Sequence, residues 1–337
     1  MKVLSFLSVI IISLFSFFSC NIKTTRTENN EKELTLVMAE VNPDGTIVAE
    51  MDKAFKQKVE ELSNGKIKID LQLGGTLGDE ENIMPVIRGE NSSIHLMRIS
   101  AFSLAARGCT KTSLLAIPFT FKNREHFWTF ATSDSANTIL NEPYEKKLGV
   151  KGLFYGEEGF RHFFATKKLS GTSDFEGMKL RITSDKIMKG VAEGLKAEPV
   201  SIGFGDLLVA LQTGLADSAE QPIANYLANH FHKVAPNMIL DGHTLGVTEV
   251  IINSNVWDSL SNSQQHILQV AGSYAGEVCR KFSQEAEDKA KAQLIAEGAV
   301  FTEVNDLTPW KQACEKIISE SSKADPDLYQ KILDMAK

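Results

Sequence analysis

After its first 19 residues the chain has no long hydrophobic run, no excess of basic residues, few cysteines and none of the short motifs that mark common enzyme classes. A bilayer-spanning helix needs ~20 consecutive apolar residues, so nothing beyond residue 19 predicts one. Acidic residues (43) outnumber basic ones (36), and the net charge is −7. That balance excludes a broad nucleic-acid footprint, which relies on clustered Lys and Arg. G-x-S-x-G, H-E-x-x-H, the Walker A string and G-x-G-x-x-G are all absent; GFGDLL, which begins at Gly203, lacks the third glycine. No catalytic constellation is legible, and no enzyme activity or cofactor is expected. Apart from Cys20, the cysteines are Cys109, Cys279 and Cys314, an odd set without C-x-x-C spacing. They read as buried small side chains, and a disulfide among them cannot be assigned from sequence. His230 and His232 form H-x-H, but no Cys or second His pair lies nearby, so no metal site is expected.

What is present suits a globular protein: 337 residues, 43 % hydrophobic and 23 % charged, enough for two domains of roughly 100–200 residues each. The first segment, MKVLSFLSVIIISLFSFFSC, has a single basic residue at Lys2, an apolar stretch, and Ser19 directly before Cys20. It reads as a secretory signal peptide over residues 1–19; the small residue before Cys20 resembles the bacterial lipobox, which implies an acylated Cys20 held in a membrane leaflet, the alternative being an ordinary signal peptide with an incidental cysteine. Residues 20–32 are polar and aperiodic beyond Cys20, as in a tether reaching ~20 Å.

From Glu33 onward strands and helices alternate. LTLVMAE predicts a strand, and Val48, Met51, Phe55, Val59 and Leu62 recur at helical spacing up to Gly65. KIKIDLQL alternates apolar and polar residues, GGTLGDEEN leads to a short helix ending at Gly89, and SSIHLMRI returns as a strand. The acidic run in GDEEN favours a helix N-terminus. These units predict a mainly parallel sheet. The alternation resumes with LFYGEEGFRHFFA, the strand GMKLRIT, the helix GDLLVALQTG and the strand VTEVIIN. SNSQ, from Ser261, then forms a capping box for a helical pattern running toward Gly298, roughly 35 residues and ~50 Å long. An element that long is expected to cross both domains, bent at Gly272 or Gly276.

Two arginines stand out. Arg181 sits mid-strand in GMKLRIT, and Arg161 ends the LFYGEEGF segment; a guanidinium is a rigid fork of donors suited to a carboxylate.

The string FEGMKLRIT…GFGDLLVALQTGLADSAEQP resembles the central signature of substrate-binding proteins of TRAP (tripartite ATP-independent periplasmic) transporters. SNGKIKIDLQLGGTLGDEENIMPVIRGE, LLAIPFTFKNREH, TEVIINSNVWDSLSNSQQHILQVAG and EGAVFTEVND resemble further blocks of the C4-dicarboxylate-binding family in the same order. The resemblance implies an α/β fold: a two-domain periplasmic binding protein with a hinge and a long helix crossing both domains. Our boundaries place residues 33–157 plus 246–285 in domain I and 158–245 plus 286–337 in domain II. It also implies a periplasmic protein, lipid-anchored here by the Cys20 reading, that closes on an organic acid and delivers it to membrane permease subunits, in some systems with a tetratricopeptide-repeat accessory protein. By motif position Arg181 is the carboxylate-binding arginine and Arg161 a second basic residue. Gln221 replaces the usual asparagine of this motif, and Ser218 and Ala219 also depart from it, which puts a dicarboxylate or sialic-acid-like ligand in doubt. Arg98, unusual for its strand, is a fourth candidate cleft residue. The alternative is the same fold serving a hydrophobic carboxylate such as a fatty acid, or acting as a partner-binding scaffold.

Overall fold

Two long strands that run side by side in opposite directions set the architecture. The computed structural model describes residues 33–336; the signal-peptide, Cys20 and tether expectations lie outside them. Among the described residues nine strands form one sheet: β1 (Leu34–Ala39), β2 (Ile67–Gln72), β3 (Leu96–Ser100), β4 (Val150–Ala165), β5 (Lys179–Ile182), β6 (Glu198–Ser201), β7 (Ser218–Pro222), β8 (Asn237–Asn253) and β9 (Val300–Glu303). The order is β2-β1-β3-β8-β4-β7-β5-β6, with β9 paired to β8.

The sheet is mixed, where sequence predicts a mainly parallel one. The βαβ units do give parallel pairs β1–β2, β1–β3, β5–β6 and β5–β7. However, β4 carries the chain out of one half and β8 carries it back, so as neighbours they pair antiparallel, and β3–β8 and β4–β7 follow suit. VTEVIIN is only the second half of β8, which begins ten residues earlier at Asn237.

Helix α1 (Ile47–Leu62) buries Met51, Phe55 and Val59, as the apolar spacing requires, and Thr46 caps it by accepting from the Ala49 amide. Helix α2 (Glu80–Ile87) has Asp79 as its cap and Glu80 and Glu81 in its first turn, where the helix dipole favours them. The long helix spans Asn262–Ala296, 35 residues, and the Ser261–Gln264 capping box is formed. Gly272 and Gly276 do not interrupt it. Gly272 is a close-packing point, where a Cβ would collide with the Phe154 ring of β4, and Gly276 packs beside Trp128 and the Tyr155 backbone. Among the described residues no helix is long and apolar enough to cross a membrane.

The middle of β4 is irregular. Its register with β8 shifts between Glu157 and Phe160, around Gly159 at φ +102°. Only glycine adopts that conformation freely, and a side chain there would also strike the Glu287 carboxylate of the long helix. Arg124 ties the region together by donating from Nε to Glu157 at 3.0 Å and from Nη2 to Glu287.

Candidate functional site

A cavity lies at the carboxyl ends of the parallel strands, where backbone groups leave the ladder and side chains from several loops converge. Val41 and Asn42 follow β1, Ser100 ends β3, Thr183 and Ser184 follow β5, and Ile202 and Gly203 follow β6. Its volume is about 150 Å³. At ~10–15 Å³ per water-sized position it accommodates on the order of ten non-hydrogen atoms. That suits a small organic acid better than a long acyl chain.

All four candidate residues, Arg181, Arg161, Gln221 and Arg98, line this one cavity, but their partners differ sharply. Arg98 is 2 % exposed and fully engaged by acids. Its Nε and Nη2 donate to Glu40 at 2.8 and 2.7 Å, and its Nη1 donates to Glu80 at 2.7 Å and lies 3.2 Å from Glu158. Arg98 lines the cavity, but its donors belong to the protein. Arg161 is likewise committed: Nε and Nη2 go to the Glu220 carboxylate and Nη1 to Glu158 at 3.1 Å.

Arg181 is different. Its Nε donates to the Ile202 carbonyl at 2.8 Å, and among the described residues no carboxylate lies within ion-pair distance. Burial, with Arg161 nearby and only partly offset by Glu220, lowers its pKa to about 10, so it stays charged at neutral pH. A buried guanidinium without a counter-charge is costly, and a ligand carboxylate is the natural remedy.

Gln221 is buried on β7 and lines the cavity, and its side-chain amide makes no hydrogen bond among the described residues. Asn42 and Asn225 also line it, and each has a side-chain carbonyl oxygen without a donor. Such groups match ligand hydroxyls.

Sequence reasoning missed the carboxylates. Glu80 appears in it only as a helix-start signal, yet it also accepts from Ser100 N and Oγ at 2.9 Å. Glu158 and Glu220 were visible beside Arg161 and Gln221, in GEEGF and AEQP, without any sign that they neutralise arginines. Cys109, Cys279 and Cys314 are free and buried, as expected. His232 pairs with Glu297 at 2.9 Å, and among the described residues no cluster of His, Cys, Asp and Glu is placed to hold a metal.

Comparison with known proteins follows the same lines. Residues 38–325 match the family model described as bacterial extracellular solute-binding protein, family 7. The sialic acid-binding periplasmic protein SiaP of Vibrio cholerae is 24 % identical over 95 % of each chain. The C4-dicarboxylate-binding periplasmic protein DctP of Shewanella loihica is 26 % identical over 84 % of this chain and 81 % of its own. A TRAP periplasmic solute-binding protein from Pseudomonas putida with bound D-glucuronate superposes with a TM-score of 0.84 at 21 % identity, covering 88 % of this chain and 96 % of the other. The sugar acid-binding protein from Advenella mimigardefordensis in complex with galactonate gives 0.84 at 22 % identity, covering 90 % and 98 %. With its two-domain α/β fold and long helix, the chain belongs to bacterial extracellular solute-binding protein family 7 and is a TRAP-type binding protein rather than an enzyme.

Proposed function

We propose that the protein captures a small hydroxylated monocarboxylate between its two halves and, anchored outside the cytoplasmic membrane through Cys20, delivers it to a TRAP permease. Arg181 carries this reading: it is a buried cavity guanidinium with no carboxylate within ion-pair distance among the described residues. One unpaired arginine matches one carboxylate, whereas Arg98 and Arg161 are already neutralised. The unpartnered amide oxygens of Asn42 and Asn225 suit hydroxyl groups. Structural neighbours are described with glucuronate, galacturonate and erythronate, each a hydroxylated acid with one carboxylate.

Titration calorimetry with D-glucuronate, D-galactonate, D-erythronate, succinate and palmitate tests the reading. At least one hydroxy acid is expected to bind, and succinate to bind ~10-fold or more weakly, because its second carboxylate meets acidic walls. Succinate binding tightest would overturn the monocarboxylate assignment. Palmitate as the sole binder would favour the apolar-ligand alternative.

The halves close about a hinge at the domain boundaries given above. Three features at one level of the molecule support them: the Gly159 irregularity in β4, Gly246 of β8 packed against Glu158, and Glu287 of the long helix against Gly159. A ligand touching both halves stabilises the closed state by its differential affinity.

Acylation at Cys20 rests on the order of apolar segment, Ser19 and polar tether. The protein expressed in a bacterium is expected to partition into detergent, and Cys20→Ala to move it to the aqueous phase; a fully aqueous wild type refutes the anchor.

A further inference from the structure

Around the cavity, four carboxylates meet two of the three guanidiniums. Glu40, Glu80, Glu158 and Glu220 contact Arg98 or Arg161, while Arg181 stands apart. A ligand carboxylate on Arg181 adds another negative charge to an enclosed space, where low polarity strengthens repulsion.

The four acids are not equally held. Glu40 takes two Arg98 donors and both the backbone and side-chain nitrogens of Asn42, at 2.6 and 2.9 Å. Glu220 takes Nε and Nη2 of Arg161. Glu80 takes Arg98 Nη1 and both donors of Ser100. Among the described residues Glu158 has only Arg161 Nη1 at 3.1 Å and Arg98 Nη1 at 3.2 Å, and the latter nitrogen lies closer to Glu80. The acids of Glu80 from α2 and Glu40 from the turn after β1 also face it. On β8, Gly246 packs against its Cβ and brings no charge, and Asp79 and Glu81 on the cavity wall add negative charge.

We propose that the site binds one proton together with each organic acid, and that the proton goes to Glu158. The inference rests on the carboxylate reading of Arg181. The proton comes from solvent, and the ligand enters as its anion. Protonated Glu158 keeps an acceptor oxygen for Arg161 and gains an O–H donor for a ligand oxygen, which an ionised carboxylate cannot supply. Burial, joined by Glu80 and Glu40 and opposed by Arg98 and Arg161, already raises the Glu158 pKa above its ordinary value.

The sign follows from linkage. Ligand binding raises the proton affinity of Glu158, so ligand affinity falls as pH rises above the free-state pKa, by up to ~10-fold per pH unit. It levels off once pH exceeds the bound-state value. Glu158 thereby tunes both affinity and the choice of ligand oxygen.

Calorimetry across pH 5.5–8, in phosphate and in imidazole buffer, reads the proton count from the dependence of binding enthalpy on buffer ionisation enthalpy. The titrant is whichever of D-glucuronate, D-galactonate and D-erythronate binds. Wild type is expected to take up a fraction of a proton that approaches one within this range. Glu158→Gln is expected to take up none and to bind with affinity that no longer varies with pH. No uptake by the wild type at any pH overturns the inference while leaving the carboxylate reading intact. Uptake that persists in Glu158→Gln overturns the assignment to Glu158. Failure of all three acids to bind removes the carboxylate reading and this inference with it. The wild-type measurement requires no variant to fold.

Discussion

Replacing Arg181 by alanine is expected to weaken ligand binding by roughly 30-fold to several thousand-fold, the ~2–5 kcal/mol forfeited when a desolvated carboxylate loses its charged partner. The ligand-free protein should not suffer for it. Among the described residues the one hydrogen bond from the Arg181 side chain goes to the Ile202 carbonyl, and no acid there is left bare when it goes. Removing an uncompensated buried charge is expected to leave the melting temperature unchanged or raise it, the usual opposition between a binding site and the stability of its empty form. Arg181→Lys should recover only part of the affinity, since it restores charge but not the planar fork. Titration calorimetry and thermal unfolding of both variants provide the check. Unchanged affinity in Arg181→Ala would sink the carboxylate assignment.

Arg98→Ala is expected to do the reverse: a loss of about 3–5 kcal/mol of folding stability, as when a buried ion pair is broken from one side. Glu40, Glu80 and Glu158 would then face one another without the cation that separates them. At the ~2–4 °C per kcal/mol typical of 150–250-residue domains, the melting temperature should fall by roughly 6–20 °C, somewhat less for this longer chain. The loss should ease on acidification as Glu158, whose pKa burial holds above its ordinary value, takes up a proton. A ligand-free melting temperature equal to that of wild type would mean that Arg98 is spare and available to ligand. Opposite signs for Arg98 and Arg181 in one thermal assay would separate the structural arginine from the binding one.

In sequence these two residues look alike: each is a lone arginine within a short strand beside apolar neighbours. What distinguishes them is which acids the fold delivers. Glu40 lies 58 residues before Arg98, and Glu220 lies 59 residues after Arg161; neither separation has a local signature. Strand ends and motif order single out four residues that line one cavity, but nothing local in the sequence tells which of the arginines the protein's own acids neutralise. Local patterns carried α1 and the capped long helix, since helical spacing and a capping box are properties of a few consecutive residues. The first half of β8 escaped notice because Asp241, Gly242 and His243 interrupt its apolar alternation. They are tolerated there because His243 Nδ1 and Asp241 pair at 2.7 Å beneath the surface. Helix Lys186–Gly194 was equally hidden by its own glycines, which make room for helix Thr308–Ser321: side chains at Gly190 and Gly194 would strike Ile317 and Ala313.

The return of the chain along β8 also fixes the order in which the protein can fold. β3 is paired on one side with β1, but its other edge waits for Thr248 to Ile252, so Arg98 is synthesised long before its ladder partner Val250. Until that segment emerges, β1–β3 has an open edge, which is a template for pairing with other chains. Contacts of such long sequence separation also slow folding. The amino-terminal residues therefore cannot complete their sheet until residues 248–252 have been made, and a nascent chain released before that point has no finished half to unfold.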